Sequence, residues 1–293
     1  MFKTIDEYLE SLKTEMKDAD PALVQDALAD AREHLYMALE GKRESAPDLP
    51  EAEALMAVVE EYGSPEETAA AYSEIEKRTS PSLKRGGRPQ SILGRIFGVY
   101  VDPRTWGSML FTFITFVTGI IYFTWAVTGA ALSLSFLILI IGIPFALLFL
   151  LSIRGLSLIE GRMVEALLGE RMPRRPLFDR PGMKWLERLQ SLLTDKRTWV
   201  SLVYLILQMP LGVIYFSVNL TFIMFTLVIM AAPIAQVFFH LPIMTMGGTE
   251  LFLPNWSLVL MELGGFGVLT LTMHIIRGFG RFHAWYAKWM LVG

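Results

Sequence analysis

The sequence predicts an all-α chain: a small helical bundle followed by a polytopic α-helical membrane region of about four spans. Three observations carry that expectation. Hydrophobic residues fill 53% of the 293 positions, above the share usual in soluble chains. Charge is split unevenly, with 8 Lys/Arg against 20 Asp/Glu in residues 1–80 and 18 against 9 in residues 81–293, so the two parts are different physical objects. Finally, residues 92–123 align without a gap on residues 185–216, with 11 identities in 32 positions. Unrelated apolar segments share Leu and Ile, but not Asp-x-Arg-Thr-Trp and Gly-x-Ile-Tyr-Phe in one register, so a membrane unit is duplicated.

Residues 4–80 read as four short helices. Thr4 with Glu7 is a capping box, and Ile5, Tyr8, Leu9, Leu12 and Met16 follow at helical spacing. Asp20-Pro21 opens a second helix with Val24, Leu28, Ala31, Leu35 and Leu39 on one face and Gly41 suited to its C-terminal cap. A third runs from about Pro50 to Tyr62 and stops at Gly63. Ser64-Pro65-Glu66-Glu67 starts the fourth, with Ser as cap and two carboxylates at the positive end of the helix dipole. The opening of the chain lacks the basic-then-apolar run of a signal peptide, so the N-terminus is expected to be cytoplasmic.

The pattern of Tyr8-Leu9 and Leu12, Glu33-His34-Leu35 and Gly41, and Tyr62-Gly63-Ser64-Pro65-Glu66-Glu67-x-Ala69-x-x-Tyr72 resembles the HAAS domain, a helical signalling module, over residues 1–78. The resemblance implies a cytoplasmic domain that works with a PadR-like winged-helix transcription regulator. It makes Tyr8, Leu12, Glu33, His34, Tyr62, Pro65, Glu66 and Tyr72 the candidate partner-binding residues.

Residues 79–91 are a linker rich in Pro, Gly and Ser, and its Lys84, Arg85 and Arg88 suit an anionic lipid surface. Each copy of the duplicated unit starts with an amphipathic run (Leu93, Ile96, Val99, Tyr100; Leu186, Leu189, Leu192, Leu193). Then come a charged turn, a Trp and an apolar stretch, which read as an in-plane helix, a polar anchor and the start of a span. Asp102, Arg104 and Trp106, with Asp195, Arg197 and Trp199, are the candidate anchors to membrane lipids.

Within the membrane domain, residues 92–293, spans are expected near 106–127, 132–153, 199–218 and 257–276, with Thr128-Gly129-Ala130 as the turn between the first two. Residues 220–240 are expected to be re-entrant or interfacial and 242–256 an extracytoplasmic loop. The basic residues from Arg154 to Arg197, and Arg277, Arg281 and Lys288, place these segments and both termini on the cytoplasmic side of a multi-pass cell-membrane protein. Ile276-Arg277-Gly278 also repeats Ile153-Arg154-Gly155.

Gly142-Ile143-Pro144, Arg154-Gly155, the Glu160-x-Arg162 to Leu167-Leu168-Gly169 segment and its counterpart from Arg277 to Gly293 resemble the four-helix sensor domain found in many bacterial sensor histidine kinases. In kinase members a catalytic region follows the last span. Here the sequence runs only to Gly293, so output is expected to leave through the N-terminal domain.

Enzyme chemistry finds no foothold. The absence of cysteine removes disulfides, thiolate nucleophiles and Cys-type zinc sites. His34, His240, His274 and His283 form no tight pair, and no nucleophile elbow, phosphate loop or kinase histidine box is present, so no catalytic residue, metal or cofactor is expected. Gln208, Asn219, Glu262 and His274 are costly in a bilayer and are candidate ligand-sensing groups; interhelical hydrogen bonds or contact with headgroups are the simpler roles. The acidic N-terminal part would repel nucleic acid but complements a basic DNA-binding protein. The sequence thus reads as a non-enzymatic membrane sensor and signal transducer controlling a PadR-like regulator. An accessory or permease-like subunit of a transporter complex is the alternative, and a lipid-binding scaffold forming homo-oligomers a third.

Overall fold

A computed structural model describes residues 2–46, 50–79, 83, 91–136, 142–175 and 185–292. In chain order the described elements are α1 (Ile5–Glu15), α2 (Pro21–Ser45), α3 (Glu51–Tyr62), α4 (Pro65–Thr79), α5 (Ile92–Phe97), α6 (Pro103–Phe136), α7 (Gly142–Leu168), α8 (Trp185–Thr194), α9 (Lys196–Phe239), β1 (Met244–Met246), β2 (Thr249–Leu251) and α10 (Asn255–Leu291). The chain is nearly all-α, and α6, α7, α9 and α10 are each long and apolar enough to cross a membrane. It forms two compact units, one of Met1–Lys84, Tyr122–Ile206 and Trp285–Gly293, the other of Arg85–Ile121 and Leu207–Ala284.

In the first unit α1 to α4 form the expected bundle, closed over Tyr8, Leu12, Leu35 and Leu55. Its helix starts are capped as the residues predict. Thr4 Oγ1 accepts the Glu7 amide at 3.1 Å, and Ser64 and Glu67 cap each other reciprocally, at 3.2 Å to the Ser64 hydroxyl and 2.9 Å from the Ser64 amide. Those bonds hold the Glu67 carboxyl below its ordinary range. The Tyr8 hydroxyl donates to the Gly63 carbonyl at 3.0 Å and lies 3.0 Å from Thr68 Oγ1, fastening α1 to the start of α4. One expected boundary is wrong. Gly41 does not cap α2, which continues to Ser45, because Lys42, Arg43 and Glu44 favour helix and Gly41 meets nothing that would force a turn.

The turn expected at Thr128-Gly129-Ala130 is also wrong, since α6 continues through it to Phe136. Gly129 serves packing: a Cβ there would overlap the Phe149 ring of α7. The connection from α6 to α7 falls outside the described residues.

The second unit contains the second correction to the span boundaries. No break separates 199–218 from 220–240; α9 is one helix of 44 residues, about 66 Å at the usual rise, twice the roughly 30 Å of a hydrocarbon core. The stretch past Phe216 has no charge or glycine to stop a helix, and several of its polar side chains bond to neighbours. Asn219 Nδ2 donates to Thr112 Oγ1 at 2.7 Å, the Thr226 and Thr272 hydroxyls lie 3.1 Å apart, and the Gln236 amide makes two bonds to the Leu253 backbone, at 2.7 and 2.9 Å. The loop expected at 242–256 contains the β1–β2 hairpin, turned by Gly247 and Gly248 in the left-handed region.

The repeated glycines bring α6 and α9 into backbone contact in this unit. A Cβ on Gly119 would stand 2.6 Å from the Gln208 carbonyl oxygen, and one on Gly212 would stand 2.6 Å from that of Thr115. Phe116 and Phe216 stack beside the crossing at 4.3 Å. Such close crossings are how apolar helices gain packing where no hydrophobic driving force acts between them. Gly212→Ala is therefore expected to destabilise the detergent-solubilised chain by about 1–3 kcal/mol, seen as a lower melting temperature. Gly278→Ala, which meets nothing within 4 Å, leaves stability within about 0.5 kcal/mol.

Candidate functional site

The first unit holds a polar junction built on one carboxylate. Asp26 lies on the inward face of α2 between Leu23 and Ala27 and is 6% exposed. Facing it is the segment after α7. Gly169 ends α7 in the left-handed region (φ 70°), with its Cα close enough to the Leu83 backbone that a Cβ would clash. The chain then runs without regular secondary structure through Glu170, Arg171, Met172, Pro173 and Arg174 to a bend at Arg175.

Asp26 takes three N–H donors from this segment. Oδ2 accepts Arg171 Nη2 at 2.8 Å, and Oδ1 accepts the backbone amides of Arg174 at 2.7 Å and Arg175 at 2.9 Å. Arg171, 7% exposed, spreads its other donors to Glu76 of α4 at 3.1 Å and the Met172 carbonyl at 2.5 Å. Arg174 pairs with Glu165 of α7 at 2.5 Å, and that hydrogen bond holds the Arg174 guanidinium charged, above its ordinary pKa. Two flanking ties complete the junction. Arg175 pairs with Asp30, and Lys288 of α10 reaches Asp20 at 2.6 Å and Glu170 at 2.8 Å. Asp20 uses its other oxygen to cap α2.

A hydrogen-bonded relay runs back from Asp30 into the bundle. The Tyr72 hydroxyl donates to Asp30 and is bonded in turn to the Tyr62 hydroxyl. Burial first, and then the nearby Asp30 charge, push Tyr62 up to about 12, and Tyr72 is raised for the same reasons. His34 lies against the Tyr62 ring at 4.8 Å.

The partner-binding residues expected from the sequence divide accordingly. Tyr8 and Leu12 are fully buried and Pro65 is buried, so they build the bundle and offer no surface. Tyr62 and Tyr72 belong to the relay, and His34 and Glu66 are exposed.

The expected anchors bond in matching ways in the two copies. In the second unit Asp102 Oδ1 accepts the Arg104 amide at 3.0 Å, the Trp106 indole donates to the Tyr100 carbonyl at 2.9 Å, and Asp102 pairs with Arg277 at 2.6 Å. In the first unit Asp195 Oδ1 accepts the Arg197 amide at 3.1 Å, the Trp199 indole donates to the Leu193 carbonyl at 2.8 Å, and Asp195 pairs with Arg154. Of the expected sensing groups, Asn219 is taken up by Thr112 and Gln208 is buried at the glycine crossing, Glu262 is half-buried, and His274 is exposed, with Nδ1 2.9 Å from the Thr270 carbonyl. The structure does not gather the four into one site. The sequence reading missed Asp26 and its arginines; a carboxylate interrupting the apolar face of α2 was the available signal.

Asp26→Asn weakens the acceptor of a buried arginine and is expected to destabilise the junction by about 3–5 kcal/mol, read as proteolysis near Arg171 at protease levels that spare the wild type. The tyrosines predict the pH dependence. A hydroxyl with pKa 10.0 when unfolded and about 12 when folded adds stability below pH 10 that is lost as pH rises toward 12. Tyr62→Phe is expected to flatten the fall in helix signal between those pH values.

Residues 113–291, more than half of the chain, match the model of the family described as "Putative sensor". No curated protein and no solved structure matches.

Proposed function

The chain belongs to this sensor family, and from that premise we propose that it is a non-enzymatic membrane signal transducer whose helical head, residues 1–79, captures and releases a cytoplasmic DNA-binding regulator of the PadR-like class. The observation that carries the reading is the Asp26 junction. It ties the head to the segment leaving α7, so a change in the apolar helices has a direct route to the head. Burial makes the tie close to all-or-none, since Arg171 or Asp26 alone in a dry site costs several kcal/mol. The head's 20 Asp/Glu against 8 Lys/Arg suit a basic partner and repel DNA itself.

Orientation follows from the same charges. Residues 240–256 contain no Lys or Arg, whereas the segments after α7 and at the end of α10 are basic. The positive-inside rule then assigns the head, the junction and the C-terminal end of α10 to the cytoplasm and the hairpin to the outside.

The test is capture from a lysate of the source cell by the full-length chain in detergent, comparing wild type with Arg171→Gln. A bound winged-helix regulator, with its amount changed at least about fivefold by Arg171→Gln, is the expected result; a fivefold change corresponds to about 1 kcal/mol in head exposure. Recovery of transporter subunits alone, or a regulator bound equally by both forms, contradicts it.

A further inference from the structure

Beside the junction, in the same unit, is a cavity of about 420 Å³, a size ordinary for a small-molecule site. Gln25 and Glu33 of α2 line it, and their spacing of eight residues means that about 12 Å of α2 borders the cavity. Leu151 and Leu158 of α7, Met172 after it and Ser201 of α9 line it as well. The arginines of the wall are already matched or solvated. Arg154 pairs with Asp195 and Arg175 with Asp30, Arg188 has an interaction of its own within the protein, and Arg197 is exposed. The wall therefore calls for no charged ligand. What it leaves unmet is neutral: the Gln25 side-chain oxygen is buried and has no hydrogen-bond donor among the described residues. A buried acceptor of this kind is costly unless something donates to it. Gln25 directly precedes Asp26, so the unmet group sits on the same turn of α2 as the junction.

We propose that this cavity binds an uncharged amphiphile whose polar end, an alcohol or primary amide, both donates and accepts hydrogen bonds. That end donates to Gln25 and meets Ser201, and the apolar part lies against Leu151, Leu158 and Met172. The inference rests on the sensor reading and gives it an input. Such a ligand touches α2 and α7 at once, so it binds while the Asp26 junction is closed and holds it closed. An acylglycerol from the membrane and a water-soluble amide share this chemistry, and the experiment separates them.

The full-length chain in phosphatidylcholine nanodiscs is photolabelled with a diazirine-bearing decanoylglycerol, and the labelled residues are mapped by mass spectrometry. Labelling of the cavity wall is expected, displaced by unlabelled decanoylglycerol and at least about fivefold less well by decanoate or decylamine, whose charges find no partner there. Gln25→Leu and Ser201→Ala should each weaken labelling about fivefold, as loss of one hydrogen bond implies, and Leu158→Trp should abolish it by filling the space. Without ligand, Gln25→Leu should melt no lower than the wild type, because it removes a buried unpaired group. Displacement by pentanamide as well keeps the site and makes its source soluble; displacement by decanoylglycerol alone makes the source a membrane lipid. The proposal is overturned if the wall is not labelled, if decanoate or decylamine displaces the label as well as decanoylglycerol does, if Gln25→Leu melts lower, or if folded Gln25→Leu and Leu158→Trp proteins label as the wild type does. Regulator capture that still responds to Arg171→Gln would then leave the sensor reading standing, whereas a labelled wall with no captured regulator would sink that reading alone.

Discussion

Asp26 cannot be buried alone, and neither can Arg171. A carboxylate or guanidinium taken out of water costs several kcal/mol unless its hydrogen bonds are replaced, so α2, α4, α7 and the 169–175 segment must stand where Asp26, Glu76 and Glu165 can share Arg171 and Arg174. This sets the register of the bundle on the segment, and it explains why Gly169 turns so tightly against Leu83: a longer turn would carry the arginines past their acceptors. The tie is also brittle. Partial separation leaves a charge dry and unpaired, so the junction favours two states, paired or solvated, which is the property a switch needs.

The apolar part solves a related problem at the ends of its helices. Each copy of the duplicated stretch places an Asp at a helix start, where one oxygen caps the next turn and the other meets an arginine, Arg277 for Asp102 and Arg154 for Asp195. Each guanidinium is thereby paired at the start of an apolar helix. The repeated tyrosines behave alike inside the helices: Tyr122 bonds to the buried Glu160, and Tyr215 lies against the buried His283 with ring centroids 5.8 Å apart. Glu160 and His283 thus each sit beside a tyrosine of the repeat.

The class of fold, the four-helix head and four apolar helices could be read from the sequence because each rests on local pattern: capping residues, helical spacing and long uncharged stretches. The boundaries that failed depended on tertiary contact. Gly41 and Gly129 looked like helix breakers, yet one simply faces space and the other makes room for Phe149. The end expected at Asn219 is absent from the continuous α9, where the Asn219 NH2 group donates to Thr112, distant in sequence. For the same reason the pairing at the junction was not legible: Asp26 stood out only as an acid on the apolar face of α2, Arg171 was one base among many, and only folding chose this pair. The sequence reading used Arg171, Arg174 and Arg175 only as basic residues that set orientation, whereas they spend their charge on carboxylates of the first unit.

The tie between head and α7 is tested most directly by a distance. The chain has no cysteine, so spin labels can be placed at the exposed Met37 of α2 and Ile159 of α7 with no native thiol in the way. Pulsed electron resonance on the full-length protein is expected to give one narrow distance in the otherwise wild-type chain and a broad, longer distribution when Arg171→Gln is added. A narrow distance unchanged by Arg171→Gln, or a broad one already present without it, would contradict the ionic junction as what holds the head in place.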